Sequence, residues 1–319
     1  MFHYTRGRGI INAAPFFFDK SGPAFYHEAK AFSRLRPRFR DKRRENDMER
    51  TRLVVFTDLD GTLLEHATYS FEPARPALEA LLEAGIPLIF CTSKTRLETE
   101  RWRRALANVH PFIVENGGAA FVPEGYFGAA ARFDKRDGGY GVLEFGRPYA
   151  DLRQALERIR AASGLPLRGF GDMAVEEIAA RCGFTREDAA LAAMREYDEP
   201  FVGADGPALA EVERAARKAG LTVASGGRFH HLVGGSDKGR AVRALRDLYS
   251  RSRGPVRTAG LGDSLNDETM LREVDVPVLV RKPDGGHADM AGLPELVIAP
   301  YAGPEGWREA VLGLLQGRA

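Results

Sequence analysis

A short apolar run that ends in two aspartates constrains the fold of this chain most. Residues 53–56 read Leu-Val-Val-Phe, and Asp58, Asp60 and Gly61 follow closely. A short, continuously apolar segment is typical of a strand buried inside a parallel sheet. Folds of the α/β class place their ligands where such strands end, at the carboxyl edge of the sheet. The run therefore predicts an α/β fold with both carboxylates at its ligand-binding edge.

The two carboxylates also predict a divalent cation. Carboxylates held this close repel each other unless a cation or a shared proton compensates their charges. Mg²⁺ prefers oxygen ligands and often binds through one or two carboxylates together with a substrate phosphate. Gly61 relaxes the steric limits on the backbone, so the chain can turn sharply beside the site. We therefore expect Mg²⁺ as the cofactor.

Strands and helices alternate from residue 51 onward, which predicts a parallel sheet with crossover helices. Apolar segments at 53–57, 87–91 and 111–114 are the first three predicted strands. Thr95 and Glu98 fit a capping box that opens the helix after the second strand. An Asn-Gly pair follows the third strand and predicts a hairpin there.

The middle of the chain has a different texture. It opens on a Gly-rich stretch without apolar periodicity, and short predicted helices and strands follow. We predict an inserted α+β cap at residues 125–232 and a catalytic core built from residues 51–124 and 233–319. The predicted fold class is thus α/β, a Rossmann-like parallel-sheet core with an inserted α+β cap domain.

Residues 1–50 carry the positive excess of the chain. They hold 12 of its 46 Lys and Arg residues but 6 of its 44 Asp and Glu residues. Such a segment could contact nucleic acid or an acidic surface, although its composition is typical of a disordered tail. We expect residues 1–50 to form a basic, disordered extension and to have no nucleic-acid partner. Residues 1–47 are either a genuine extension or the result of a start site assigned upstream of Met48.

Composition also bears on location. No apolar run approaches the roughly 20 residues that span a bilayer, so no membrane partner is expected. Cys91 and Cys182 are the two cysteines of the chain, and two buried thiols in a reducing cytoplasm fit better than a disulfide. A cytoplasmic protein is therefore predicted, and its oligomeric state is left open.

Four separated polar clusters fall at strand ends or helix starts. They are Asp58–Thr62, Thr92 after the second strand, Lys238 in a helix that Ser236 could cap, and Gly262–Asp267. Each cluster alone is a weak signal, because Asp-Gly is common in turns and Gly-Asp-Ser is common at helix starts. In this order and spacing they resemble the four motifs of the haloacid dehalogenase superfamily of phosphotransferases. The resemblance covers residues 51 to 319, and the insertion resembles the C2-type cap of the sugar-phosphatase branch.

Phosphoryl transfer assigns a role to each cluster, because it requires an in-line nucleophile and neutralisation of the phosphoryl oxygens. Asp58 is the candidate nucleophile, which would form an aspartyl-phosphate. Asp60 is the candidate acid and base, protonating the leaving alkoxide and then deprotonating the attacking water. Thr92 is expected to hydrogen-bond a phosphoryl oxygen. Lys238 is expected to hold the same group and to offset repulsion between Asp58 and phosphate.

The predicted metal site uses the same strand ends. The resemblance implies that Mg²⁺ is held by Asp58, by Asp60 through its backbone carbonyl, and by Asp263. Asn266 and Asp267 are expected outside these ligands, where they would orient metal-bound waters and the loop. The predicted activity is that of a phosphoric monoester hydrolase.

Several segments are similar to the mannosyl-3-phosphoglycerate phosphatase family. They are residues 91–95, 112–118, 195–199 and 226–231. Many relatives in the superfamily carry Gly-Arg after the second-motif threonine, whereas this chain has Ser-Lys, as in that family. The resemblance implies hydrolysis of 2-O-mannosyl-3-phosphoglycerate to phosphate and mannosylglycerate. Because mannosylglycerate is a compatible solute, the implied role is osmotic or thermal protection.

The expected substrate carries a phosphate, a carboxylate and a sugar, and cap residues could bind each group. Arg195 and Arg228 could each grip the carboxylate bidentately. The candidate acceptors for sugar hydroxyls are Asp172, Asp198 and Glu199, and the further substrate-binding candidates are Lys94, Glu115 and Asn116. Arg195 and Asp198 could instead form a surface pair worth little. His230 and His231 alternate along a predicted strand, so at most one of them faces the site.

Other functions remain open at this stage. Phosphatases acting on glucosyl-3-phosphoglycerate, trehalose phosphate or sucrose phosphate share the four motifs, and a sugar phosphomutase would return the phosphoryl group to its sugar. A binding protein that retains only the fold would be favoured by loss of the motif residues. The chain retains four motif residues whose loss would have favoured a binding protein: Asp58, Asp60, Lys238 and Asp263.

Overall fold

The computed structural model describes residues 52–226, 229–290 and 292–318. The extension predicted at residues 1–50 lies outside these ranges, as does Arg228. Within the described residues, no helix combines the length and the apolarity of a membrane span. Cys91 and Cys182 are both buried free thiols, which confirms the prediction for the cysteines.

A nine-stranded sheet forms the centre of the core. From one edge to the other its strands are β13 (Val297–Ala302), β12 (Val276–Arg281), β11 (Val256–Gly262), β1 (Arg52–Thr57), β2 (Leu88–Cys91), β3 (Phe112–Val114), β4 (Ala119–Pro123), β6 (Tyr140–Glu144) and β5 (Lys135–Asp137). The strands from β13 to β3 pair in parallel, and the last three pair antiparallel. The predicted parallel sheet is therefore present, extended at one edge by a meander.

Helices cover both faces of this sheet. They are α1 (Arg75–Ala84), α2 (Arg96–Ala105), α7 (Lys238–Arg253), α8 (Glu268–Leu271) and α9 (Gly303–Leu315). Val55 of β1 packs with apolar residues of α1, α2 and α9. Val54 and Phe56 pack with residues of α7 and α8 on the opposite face. Because successive strand residues point to opposite faces, a strand buried on both sides is apolar throughout.

The cap is a four-stranded antiparallel sheet with helices packed on it. Its strands, in spatial order, are β7 (Arg168–Gly169), β8 (Asp198–Val202), β10 (Phe229–Val233) and β9 (Thr222–Gly226). Its helices are α3 (Tyr149–Ser163), α4 (Val175–Cys182), α5 (Arg186–Ala192) and α6 (Pro207–Lys218). Helices α3 and α6 share one apolar cluster with the cap sheet. The fold class is thus a Rossmann-like α/β core with an inserted α+β cap.

The prediction that the cap starts at residue 125 disagrees with the strand pairing. Strands β5 and β6 hydrogen-bond to each other and, through β4, to the large sheet. Residues 135–144 therefore lie in the core sheet. We propose that the inserted cap spans residues 146–233, because all strands of the second sheet fall within that range.

The turn after β3 touches the start of α7. Strands β3 and β4 form the predicted antiparallel hairpin. Gly117 lies in the connecting turn with φ of +87°, and a Cβ there would overlap the carbonyl group of Asp237. Asp237 caps α7, because its carboxylate accepts the backbone N–H of Arg240 at 2.7 Å. The prediction that Ser236 is the cap is wrong by one residue, since the Ser236 hydroxyl is buried without a hydrogen-bond partner among the described residues.

This close approach predicts a large effect of Gly117→Ala. The new Cβ would overlap the Asp237 backbone, so the turn and the start of α7 would have to separate. Gly125→Ala is the matched control, because Gly125 also has a positive φ, +77°, but no atom within 4 Å of an added Cβ. Chemical denaturation should show a loss near the ~1–2 kcal/mol of left-handed strain in the control and a clearly larger loss in Gly117→Ala. Equal losses would contradict the close approach.

Candidate active site

Asp58 and Lys238 form a buried ion pair at the carboxyl edge of the sheet. Asp58 directly follows β1, and Lys238 is the first residue of α7. The Lys238 Nζ donates to Asp58 Oδ1 at 2.8 Å, and both side chains are less than one-tenth exposed. Burial favours the uncharged lysine, but the neighbouring carboxylates outweigh it and raise the pKa of Lys238. Lys238 is therefore a fixed positive charge beside Asp58.

Asp267 is the second carboxylate on Lys238. It lies in the turn after β11, and its Oδ1 accepts from Lys238 Nζ at 2.6 Å. Its Oδ2 accepts the backbone N–H groups of Asp263 and Ser264 at 3.0 and 3.1 Å. These bonds fix the loop that carries Asp263. Asp267 thus lies in direct contact with the site's lysine and is fully buried.

Three carboxylates converge where the sequence predicts a metal. Within the described residues, ligand oxygens from Asp58, Asp263 and Asp267 all lie within 4.8 Å of one another. Burial raises the pKa of Asp58 above its ordinary value; Lys238 opposes this rise, and the neighbouring carboxylates add to it. For the same reasons the pKa of Asp263 rises to about 7. Three carboxylates and one ammonium leave an excess of negative charge, and a hard divalent cation such as Mg²⁺ fits this oxygen donor set.

Gly61 lets the first loop approach Asp263. Gly61 has φ of +79°, a region that favours glycine, and a Cβ there would lie 2.8 Å from Asp263 Oδ2. Thr62 follows and donates its hydroxyl to Asp263 Oδ1 at 3.4 Å. The Asp-Gly pair in the first motif therefore brings the loops after β1 and β11 together.

Asp60 lines the cleft beside the carboxylate cluster and pairs with Lys94. The Lys94 Nζ lies 2.8 Å from Asp60 Oδ2. It also lies over the ring of Tyr69, 4.8 Å from the ring centre. The other oxygen of Asp60, Oδ1, is buried and has no hydrogen-bond partner among the described residues. The Asp60 side chain is thus held by one oxygen while the other stays available.

Thr92 lies below the same edge, immediately after β2. Its side chain is buried, and its Oγ1 accepts the backbone N–H of Lys94 at 3.2 Å. Its carbonyl accepts the N–H of Asn116 at 3.0 Å, while the Lys94 carbonyl accepts the N–H of Glu115 at 3.0 Å. The loops after β2 and β3 therefore support each other.

A cleft of about 170 Å³ lies between these loops and the cap. Six of the site residues predicted from the sequence contribute to its lining: Asp58, Asp60, Lys94, Arg195, Asp263 and Asn266. Aromatic side chains form much of the rest, namely Tyr69, Phe170, Phe184 and Phe229. The cleft therefore combines a charged floor from the core with an apolar wall supplied mostly by the cap.

Other predicted substrate contacts lie behind the cleft. The Glu115 carboxylate accepts the backbone N–H groups of Glu196 and Tyr197 at 2.8–3.1 Å. Burial, the largest effect, raises the pKa of Glu115 to about 8. Asp172 and Glu199 both bind Arg153 at 3.0 Å instead of lining the cleft. Glu115 thus fastens the chain that enters β8 to the core.

Arg195 joins the cap to the second motif. Its Nη1 donates to the Ser93 carbonyl at 2.7 Å, and its Nε donates to the Ala192 carbonyl at 3.0 Å. Its guanidinium lies 3.9 Å from Asp198, and the side chain is buried. The alternative of an exposed surface pair therefore does not apply to Arg195 and Asp198.

The structure also brings forward residues that sequence reasoning did not select. His231, but not His230, contributes to the cleft lining, and so do Tyr69 and Phe184. Strand alternation places the two histidines on opposite faces but does not say which face is the cleft. Tyr69 has φ of +57°, a conformation that an aromatic residue rarely adopts, and no sequence signal marks it.

Comparisons with known proteins agree with this geometry. Residues 55–137 match the family of haloacid dehalogenase-like hydrolases. A glucosyl-3-phosphoglycerate/mannosyl-3-phosphoglycerate phosphatase from Methanococcoides burtonii is 47% identical, over 82% of this chain and 97% of the relative. A mannosyl-3-phosphoglycerate phosphatase from Pyrococcus horikoshii is 37% identical, over 71% and 90%. The crystal structure of a haloacid dehalogenase-like hydrolase from Bacteroides thetaiotaomicron is 16% identical, covers 83% of this chain and 100% of its own, and has a TM-score of 0.57.

The fold, the four strand-end clusters and these relatives define one class of protein. The chain belongs to the haloacid dehalogenase-like hydrolases. Within that family it is a phosphatase, a phosphoric monoester hydrolase.

The raised pKa of Asp263 predicts a stability effect in the metal-free protein. A carboxyl with its pKa raised to about 7 by folding destabilises the fold when ionised, and this cost grows as pH rises from about 4 to 7. Asp263→Asn should therefore raise the melting temperature at pH 8 in EDTA, with a gain that shrinks towards pH 4. Mg²⁺ should raise the melting temperature of the wild type but not of the variant. A variant gain that is equal at pH 4 and pH 8 would contradict this assignment.

Proposed function

We propose that the protein is a Mg²⁺-dependent phosphatase that hydrolyses mannosyl-3-phosphoglycerate to mannosylglycerate and phosphate through an aspartyl-phosphate. The observation that carries the proposal is the buried Lys238–Asp58 pair beside Asp263 and Asp267, with Asp58 and Asp263 lining the cleft. Two relatives, 47% and 43% identical, are each named for both the glucosyl and the mannosyl substrate. Glucosyl-3-phosphoglycerate is therefore the second candidate substrate.

The first chemical step uses Asp58 and Asp60. Because Lys238 holds Asp58 Oδ1, Oδ2 is the oxygen free to attack the phosphorus. The bond from this oxygen to phosphorus forms while the bond from phosphorus to the leaving oxygen breaks. Asp60 gives its proton to the leaving alkoxide. In the second step Asp60 removes a proton from water, which attacks the phosphorus and releases phosphate from Asp58.

The surrounding residues neutralise and orient the phosphoryl group. Asp58, Asp263 and the Asp60 carbonyl are the proposed Mg²⁺ ligands, and Asp267 lies close enough to join or orient them. When bound, Mg²⁺ would offset the negative charge that the phosphoryl oxygens bring to this acidic floor. Lys238 adds a fixed positive charge, and the proposed role of Thr92 is to position the phosphoryl group by a hydrogen bond. Asn266 would orient the loop from outside.

The cleft chemistry fits a phosphorylated sugar acid. Lys94 and Arg195 supply positive charge beside the phosphoryl site, as a substrate with a second anion requires. Aromatic walls suit the C–H faces of a sugar ring. A role in making a compatible solute, in the cytoplasm, forms part of this proposal.

Phosphate release tests the proposal directly. Mannosyl- and glucosyl-3-phosphoglycerate should release phosphate rapidly with Mg²⁺, and trehalose and sucrose phosphates slowly. Asp58→Asn should lower kcat by at least about 10³-fold, because the amide cannot form the acyl-phosphate. Asp205→Asn, at an exposed cap residue, serves as the matched control. Transfer of phosphate to another position of the sugar, without release, would favour a phosphomutase. Substantial turnover by Asp58→Asn would exclude Asp58 as the nucleophile.

Metal removal tests the cofactor. Dialysis against EDTA should abolish phosphate release, and added Mg²⁺ should restore it, because the carboxylate floor otherwise repels the substrate phosphate. Ca²⁺, which takes more ligands at longer distances, should restore less activity than Mg²⁺. Activity that survives complete chelation would contradict the proposed metal dependence.

A further inference from the structure

His231 lies on the face of β10 that turns towards the cleft. It lines the cleft together with Phe170 and Phe229 and is 9% exposed. His230, its neighbour in the strand, lies on the other face, where it packs against Phe201 and lies 3.6 Å from Asp205. The two adjacent histidines therefore have different environments, and one of them meets the substrate space.

Asp198 fixes the orientation and tautomer of the His231 ring. The Asp198 carboxylate is fully buried and lies 2.9 Å from His231 Nδ1. It also accepts from Asn116 Nδ2 at 2.9 Å, and Arg195 lies 3.9 Å away. Burial alone would raise the pKa of Asp198, but His231 and Arg195 outweigh it and hold this pKa below its ordinary value. Because an ionised carboxylate only accepts hydrogen bonds, the proton on His231 resides on Nδ1.

The second ring nitrogen is left for a ligand. His231 Nε2 has no hydrogen-bond partner among residues 52–226, 229–290 and 292–318. An imidazole that donates through Nδ1 and carries no second proton accepts at Nε2. An acceptor on the lining of the cleft is open to a ligand that donates to it, and such a hydrogen bond adds affinity.

We propose that His231 Nε2 accepts a hydrogen bond from a hydroxyl group of the sugar ring in the bound substrate. The inference rests on the proposed function and adds a specificity residue to it. An ionised phosphate or carboxylate has no proton to donate, whereas every free sugar hydroxyl does. His231 therefore reads the glycosyl part of the substrate, while Lys94 and Lys238 meet its anions.

His231→Asn tests this contact with the least disturbance. The asparagine amide can take the place of Nδ1 and keep the bond to Asp198, but no atom replaces Nε2. His230→Asn is the matched control, one residue away on the opposite face. We expect His231→Asn to raise KM for mannosyl-3-phosphoglycerate about tenfold, the effect of one lost hydrogen bond, with little change in kcat. The inhibition constant of 3-phosphoglycerate, which carries both anions but no sugar, should not rise with it.

Each other outcome overturns the inference. An unchanged KM means that His231 does not touch the substrate. A parallel rise in the inhibition constant of 3-phosphoglycerate means that it binds the carboxylate instead. An equal effect of His230→Asn, or a rise in the inhibition constant of inorganic phosphate, indicates that the strand itself is disturbed. If the wild type releases no phosphate from either glycosyl substrate, the proposed function fails first, and that result is distinct from the others.

Discussion

The ammonium group of Lys238, enclosed between Asp58 and Asp267, is the contact on which the site depends. Lys238 lies at the start of α7, and its two partners come from the end of β1 and the turn after β11. Burying such charges is costly unless each is paired with good geometry, so these three elements can meet in few arrangements. The parallel register of β1 and β11 pairs Thr57 with Leu261. It therefore brings the loops that carry Asp58 and Asp267 to the same edge of the sheet. Catalytic geometry is thus set by the sheet register.

The cap is attached to this core by buried polar contacts. Asn266 lies in the metal loop, our name for residues 263–267 after β11, where a cation is proposed to bind. It donates to Asn116, and Asn116 donates to Asp198 in the cap, which in turn holds His231. Glu115 and Arg195 add contacts to backbone groups across the same junction. Hydrogen bonds are directional, so they fix the orientation of the cap more narrowly than an apolar surface of equal area would. The metal loop and the proposed sugar contact are therefore coupled through a continuous chain of side chains.

Sequence reasoning predicted the parts of the fold that are encoded locally. The apolar runs of β1, β2 and β3 and the capping box at Thr95 are short-range signals, and they are confirmed. The predicted cap boundary at residue 125 disagrees with the strand pairing, because β5 is an exposed, charged edge strand with neither an apolar run nor an alternation to reveal it. The helix cap was predicted at Ser236 and not at Asp237, because both residue types cap helices well.

The remaining site residues depend on tertiary placement that no local pattern encodes. Glu115 reads as part of a turn, yet its carboxylate binds backbone groups of the cap some 80 residues later. His230 and His231 are indistinguishable in the sequence, and their roles follow from which face of the cap sheet turns inward. Residues that join distant segments are therefore visible only in the folded chain.

The acidic floor lowers the stability of the fold, and other contacts of the site offset part of that cost. Asp58 and Asp263 both have raised pKa values, so the empty site is a net cost to folding at neutral pH. Lys238 offsets part of that cost, and the turn at Gly61 and Thr62 holds Asp263 in place despite the repulsion. A cation bound there would recover the remainder, because the same uncompensated charge that weakens the fold would strengthen cation binding. Stability and metal affinity are therefore opposed in these carboxylates, as is general where function requires like charges to be held together.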